Sequence, residues 1–129
     1  MIVLDANILI RAVLGRRVRQ LLEHYAHYGV RFYAPGVAYS DAQRHLPELL
    51  KKFGKHDGDV PAELQYLQSL VEPVESESYV AFEDEARTRL RARDEENWPV
   101  LAAALALACA IWTEDMDFFG TGVPIWTTK

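Results

Sequence analysis

The sequence predicts an α/β sandwich built on a mainly parallel sheet. Short apolar, β-branched runs at 1–4, 30–34, 71–74, 110–113 and 123–127 alternate with segments of helical periodicity, the order expected of strands crossed over by helices. The first two runs are nearly continuous in apolar character, which marks strands buried on both faces of a parallel sheet. With half of 129 residues hydrophobic and a quarter charged, the chain fits one compact domain over 1–129. A chain of this size hides roughly two-thirds of its unfolded surface, so it needs neither disulfides nor a structural metal to fold.

Taken in order, the run 1–4 ends at Asp5, and Asn7 opens a periodic segment through Leu22: strand, turn, helix. The second run stops at Pro35 and Gly36. A helix is expected over 37–53, kinked or divided by Pro47, which lacks a donor and crowds the carbonyl four residues back. Residues 54–59 form the most polar connection. After Pro61, a pattern carrying Leu64, Leu67 and Leu70 leads into the strand at 71–74, and a charged helix is expected over 79–92. Asp94 to Asn97 are polar cap residues for a buried Ala/Leu helix at 99–108. The fourth strand follows, and Gly120 and Gly122 precede the last. No repeat, low-complexity tract or linker interrupts this pattern.

Cys109 is the single cysteine, so it closes no internal disulfide and builds no Cys-rich zinc site; a reducing compartment, the cytoplasm, is the expected location. The longest apolar stretch, 98–112, is shorter than the ~20 residues of a membrane span. The N-terminus lacks the parts of a signal peptide, so no membrane association is expected. The net charge of −5 argues against nonspecific nucleic-acid binding, yet the charge is uneven. Residues 1–56 hold nine Lys/Arg against four Asp/Glu, whereas 57–129 hold five against fifteen. A basic front half offers an anionic polymer a cationic face while the back half keeps carboxylates for a metal. The plainer alternative is solvated helix surface, where Arg16, Arg17, Arg19, Lys51, Lys52 and Lys55 are expected to fall.

In parallel α/β sheets the ligand crevice lies beyond the carboxyl ends of the strands, and the residues placed there are mostly acids. Asp5 ends the first strand, Asp41 follows the second, Asp94 to Glu96 precede the buried helix, and Asp115 and Asp117 follow the fourth strand. Crowded carboxylates repel one another and stay ionised with a cation between them; all-oxygen ligation suits Mg²⁺ or Mn²⁺. Such an ion polarises a phosphodiester and acidifies a bound water, so metal-assisted phosphodiester hydrolysis is the natural reaction class. Taken singly, Asp5 and Asn7 read as helix caps, and Asp94 with Glu95 and Glu96 as first-turn acids. The run Thr113-Glu114-Asp115-Met116-Asp117-Phe118 is the sharpest signal, since a simple turn needs only one acid. His24, His27, His45 and His56 share no ligand spacing beyond one i, i+3 pair, and neither they, Cys109 nor the aromatics are assigned chemistry.

Four segments, Leu4-Asp5-Ala6-Asn7, Ser40-Asp41-Ala42-Gln43-Arg44-His45-Leu46, Arg93-Asp94-Glu95-Glu96-Asn97-Trp98-Pro99 and Ile111-Trp112-Thr113-Glu114-Asp115-Met116-Asp117-Phe118, resemble in order and spacing those of PIN-domain proteins, the nuclease family that includes VapC-type toxins. The resemblance spans the whole chain. It implies a three-layer α/β/α sandwich around a five-stranded parallel sheet, an acidic pocket for Mg²⁺ or Mn²⁺, and cleavage of RNA. Asp5, Asp115 and Asp117 match the family's metal positions. Asp41 stands where the family has Glu, and Asn97 where it has Asp before Trp-Pro.

On this basis Asp5 and Asp115 are primary metal ligands, with Asp41 and Asp117 completing the shell or orienting the attacking water. Asn7 and Thr113 fix the carboxylates, Asp94 or Glu96 supplies the carboxylate that Asn97 lacks, and the Asn97 carbonyl ligates the metal or holds a water. Arg11, Arg16, Arg17, Arg19 and Arg44 hold the RNA backbone. The implied partners are RNA, an antitoxin-like protein and a second copy of the chain.

Two other classes compete. A non-catalytic PIN-like module that binds RNA or protein is suggested by Asp41 and Asn97. A haloacid-dehalogenase-type phosphatase also begins with an Asp after its first strand, but it requires a second Asp where Asn7 stands and a downstream Lys, and no Lys follows Lys55 before Lys129.

Overall fold

The computed structural model describes residues 1–54 and 59–128. Strands β1 (Ile2–Leu4), β2 (Phe32–Pro35), β3 (Val71–Val74), β4 (Ala110–Trp112) and β5 (Ile125–Trp126) form one sheet in the order β3-β2-β1-β4-β5. Every pairing is parallel. The expected mainly parallel sheet is therefore parallel throughout.

Side chains alternate across it. Ile2 and Leu4 of β1, Phe32 and Ala34 of β2, and Trp112 of β4 enter one core with residues of α1 (Ala6–Leu14), α2 (Arg17–His27), α3 (Gly36–Lys52) and α4 (Val60–Gln68). Val3 and Ile111 enter a second core with α5 (Glu83–Arg89) and α6 (Trp98–Leu107). Two helical layers thus enclose the sheet, which is why its central strands are apolar at successive positions: each residue meets a core on whichever side it points.

Several elements differ from the sequence expectation. The helix expected over 7–22 is two helices, because Gly15 is extended (φ −136°, ψ 179°) and its N–H bonds back to the Arg11 carbonyl. The apolar periodicity continues across the break, so a pattern argument alone sees one segment. Pro47 does not divide α3, which runs unbroken from Gly36 to Lys52. Proline removes one bond to the carbonyl of Gln43, while Leu46 and Leu50, buried on either side of it, hold the helix onto the core.

The charged helix expected over 79–92 is α-helical only at Glu83–Arg89, after 3₁₀ turns at Ser76–Ser78 and Val80–Phe82. Tyr79 sits between those turns in a non-helical conformation (φ −131°, ψ −7°) and is buried, its ring centroid 5.7 Å from that of Trp98. The polar connection expected at 54–59 lies largely outside the described residues, as do Lys55 and His56. Gly120 and Gly122, at φ +82° and +88°, take left-handed conformations that turn the chain into β5.

The topology fixes where a site can form. From β1 the chain builds outward through β2 to β3, then returns to β4 on the other side of β1. The segments leaving β1 and β4 diverge: α1 lies in the first core, and Phe118, in the segment after β4, lies in the second. A crevice opens between them, the topological switch point of the sheet.

Candidate active site

Asp5 and Thr113 are the first residues after β1 and β4, and the register of those strands, Leu4 beside Trp112, makes them neighbours. Asp5 caps α1, its Oδ1 accepting the Ile8 N–H at 3.0 Å. Thr113, fully buried, donates its hydroxyl to Asp5 Oδ2. The same hydroxyl oxygen accepts the Asp115 N–H at 2.9 Å. One threonine thereby ties the end of β1 to the turn after β4 and carries Asp115 beside Asp5. Asp115 then caps the 3₁₀ turn Met116–Phe118, Oδ1 accepting the Asp117 N–H at 2.9 Å. Its Oδ2 accepts from Asn97 Nδ2 at 3.2 Å.

Burial pushes the Asp5 carboxyl above the ordinary carboxylate range. The Thr113 hydroxyl and the Ile8 and Asn7 backbone amides oppose that shift, and the charge of Asp115 adds to it. Two carboxylates placed this close disfavour each other's charge, and a cation between them would relieve that repulsion.

A cavity of about 660 Å³ opens over this pair. Asp5, Asn7 and Asp115 line it from the sheet end, Asp41 and Arg44 from α3, and Glu96 and Asn97 from the turn before α6. Asp41 and Arg44 form an ion pair at 2.9 Å. Val37, Tyr79 and Trp98 supply apolar wall.

Other predicted site residues lie elsewhere. Thr113, Asp94 and Asp117 do not line the cavity. Thr113 works from beneath, whereas Asp94 caps the turn before α6 through Glu96 N–H at 3.0 Å and gives its own N–H to Asp117 Oδ2 at 3.4 Å. One oxygen of the Asp117 carboxylate is thus turned toward the α6 entry.

Of the expected RNA-binding arginines, only Arg44 reaches the cavity. Arg11 pairs with Glu114 at 3.6 Å and lies 3.5 Å from the Thr128 hydroxyl, and Arg17 donates to the Thr128 carbonyl at 3.3 Å; together they pin the C-terminal segment. Arg19 bonds Glu63 at 2.7 Å and lies over the Tyr66 ring, joining α2 to α4. Arg16 lines a different groove, beside Phe53. The sequence reading missed the wall residues Val37, Tyr79 and Trp98. For Trp98 a signal existed, since it adjoins Asn97 directly; Tyr79 reaches the cavity only through the 3₁₀ turns around it.

Among the described residues, no three His, Cys, Asp or Glu side chains stand together closely enough to hold a metal. The donor set is instead a pair of carboxylates. The oxygens of Asp5 and Asp115 are held by hydrogen bonds from the Ile8 N–H, the Thr113 hydroxyl, the Asp117 N–H and the Asn97 amide, which fix both carboxylates at the sheet end. That fits a hard cation retaining most of its water, as Mg²⁺ does when held by one or two carboxylates.

A model of the PIN domain matches residues 3–129. The chain belongs to the PIN-domain family. No curated protein matches it. Its fold is similar to a chain in the crystal structure of VapBC2 from Rickettsia felis bound to a DNA fragment from their promoter, with a TM-score of 0.76, 17% identity and coverage of 98% of each chain. In this PIN domain the sheet end carries the acid pair, while the position before Trp-Pro carries an amide donor to Asp115.

Proposed function

We propose that the cavity is the active site of a metal-dependent endoribonuclease that hydrolyses RNA phosphodiester bonds. The observation that carries this reading is the Asp5 and Asp115 pair, tied together by Thr113 at the switch point of the parallel sheet in a PIN-family chain. In this reading Asp5 and Asp115 hold Mg²⁺ or Mn²⁺. When bound, the cation supplies Lewis-acid polarisation of the scissile phosphate and a more acidic water. Asp41, on the facing helix, orients the attacking water. Arg44 contacts a phosphate oxygen, a contact in which the guanidinium fork donates two bonds. Asp117 acts as a positioning residue through the turn that Asp115 caps. Trp98, half-buried in the wall, offers apolar surface to an unstacked base of a single strand, with Tyr79 packed behind it.

The same reading places the protein in the cytoplasm as a single functional domain. An antitoxin-like partner, suggested by the Rickettsia felis complex, covers the cavity, and the chain pairs with a second copy. Among the described residues no helix is long and apolar enough to cross a membrane.

The test is single-turnover cleavage of single-stranded RNA with Mn²⁺, run beside Asp5→Asn. Cleavage that stops on chelation and falls at least about 100-fold in the variant is the expected result, in the range for loss of a group stabilising charge in the transition state. Equal products from both proteins would overturn the assignment.

A second reading, a PIN module that binds RNA without cutting it, is favoured by two specific contacts. Arg44 already neutralises Asp41, and Asn97 brings an amide instead of a carboxylate to Asp115. It predicts RNA binding with no Mn²⁺-dependent cleavage in either protein.

A further inference from the structure

A second cavity, of about 690 Å³, lies beside the first on the same end of the sheet, between α3, α4 and the turns after β3. The two share Val37, Ser76 and Tyr79 in their walls, so they adjoin. Their chemistry differs. The acidic cavity holds Arg44 beside its carboxylates, whereas no Lys or Arg lines the second, and its one charged side chain is the carboxylate of Glu75. A phosphate finds no counter-charge there and meets a negative group instead. What the wall offers is hydrogen bonding: Gln43 from α3 and Gln68 from α4 each present donor and acceptor, and Glu75 presents acceptors alone. Val37 and the ring of Tyr79 give apolar surface at the junction. Base edges and faces match such a lining, while the backbone matches the cavity that contains Arg44.

We propose that this second cavity reads a nucleobase of the RNA strand next to the scissile bond, and that Glu75 makes it favour bases carrying an exocyclic amino group over uracil. The proposal rests on the endoribonuclease reading of the adjoining cavity. Adenine, cytosine and guanine present amino hydrogens at the rim of the base that an acceptor-only carboxylate takes up, whereas uracil has no amino group and its one edge donor, N3–H, lies between two carbonyl oxygens that repel a carboxylate. Gln43 and Gln68 complete the edge, and either amide turns to suit the base, so discrimination comes chiefly from Glu75.

The experiment has two arms that fail separately. In the first, the wild-type protein with Mn²⁺ cuts a single-stranded RNA randomised in sequence, and the ends produced are sequenced. Uracil is expected to be depleted by about fivefold or more at one position adjoining the cut, the low end for a single good base contact. Glu75→Gln, which swaps the acceptor-only group for an amide of the same shape, is expected to flatten that position. A flat wild-type profile, or a uracil depletion that Glu75→Gln leaves intact, overturns the proposal.

In the second arm, fluorescence anisotropy measures binding of short oligo(A) and oligo(U) without Mn²⁺, so it stands even if no cleavage occurs and the nuclease reading falls. Tighter binding of oligo(A), lost in Glu75→Gln and in the Gln43→Ala, Gln68→Ala pair, supports the subsite. Equal binding of the two oligonucleotides, or a preference that all variants retain, overturns it.

Discussion

Asp5 does two jobs that pull in opposite directions. As a cap it satisfies the Ile8 N–H, and as a buried carboxylate beside Asp115 it lies in a place that disfavours its charge. A carboxyl whose folded pKa is raised binds its proton more readily in the folded state. Its penalty on stability is therefore full at neutral pH and disappears as pH falls through the raised value. Asp5→Asn keeps the cap, because Asn ranks with Asp there, and removes the buried charge. The metal-free variant is expected to melt at the wild-type temperature or above at pH 7, with the gap closing as the pH is lowered toward 4. Asp5→Ala loses the cap and strands the Thr113 hydroxyl, and it is expected to be destabilised by about 1–2 kcal/mol. Denaturant melts of the three proteins across pH check both signs.

Asn97 poses the complementary case. Its amide donates to Asp115, so Asn97→Asp removes a donor and sets a third carboxylate against the pair. The metal-free variant is expected to be less stable than wild type and to gain more from Mn²⁺, since a ligand that binds only the folded state raises stability by about 2.7 kcal/mol at a hundred times its Kd. If Asn97 serves only to lead into α6, melting temperature and Mn²⁺ response both stay at wild-type values.

Among the elements, those that sit in the sheet or against it were the most legible. Strand β3 matches the expected bounds, and β1, β2 and β4 fall within a residue or two, because strands buried on both faces leave short apolar runs that helices of a surface layer do not. What escaped the sequence was conformation set by a single residue. Gly15 breaks a helix that its apolar pattern continues, Pro47 fails to break one, and Tyr79, buried in a non-helical conformation, stands between two 3₁₀ turns where an α-helix was expected. The acid pair was legible because Asp5 directly follows β1 and Asp115 lies in the short turn after β4. The arginines were not, because charge counts do not reveal that Arg11, Arg17 and Arg19 already have partners within the fold. Ala108 shows another such local constraint. It closes α6 in the left-handed region (φ +54°, ψ +52°), which costs an L-residue about 1–2 kcal/mol and glycine nothing. Ala108→Gly is expected to raise stability by about 0.5–1 kcal/mol once the greater freedom of glycine in the unfolded chain is subtracted. A rise in denaturation midpoint at unchanged slope would show it; a fall would mean that the Ala108 methyl contributes packing that outweighs the backbone strain.

At the scale of the whole molecule, the distribution of charge decides how a polyanion approaches. The chain is acidic overall, and three arginines of its basic front half, Arg11, Arg17 and Arg19, are committed to holding its own C-terminal segment and helices together. Among the residues lining the acidic cavity, Arg44 is the one cation. If a diffuse positive field draws RNA in, any exposed arginine contributes about equally, because removing one changes the net charge by the same amount wherever it lies. If RNA is held by a local phosphate contact, position matters and Arg44 alone carries it. Each phosphate contact on a single strand contributes about 0.7 to the slope of log affinity against log salt concentration. Arg44→Gln and Arg19→Gln have the same net charge, yet Arg44→Gln is expected to weaken single-stranded RNA binding and lower the salt slope by about 0.7. Arg19→Gln, which loses its bond to Glu63 of α4 away from the cavity lining, is expected to leave the slope unchanged. Titrations of both variants over a range of salt concentrations separate the two cases: equal slopes in the variants would assign RNA capture to the field of the whole molecule and remove Arg44 from the site.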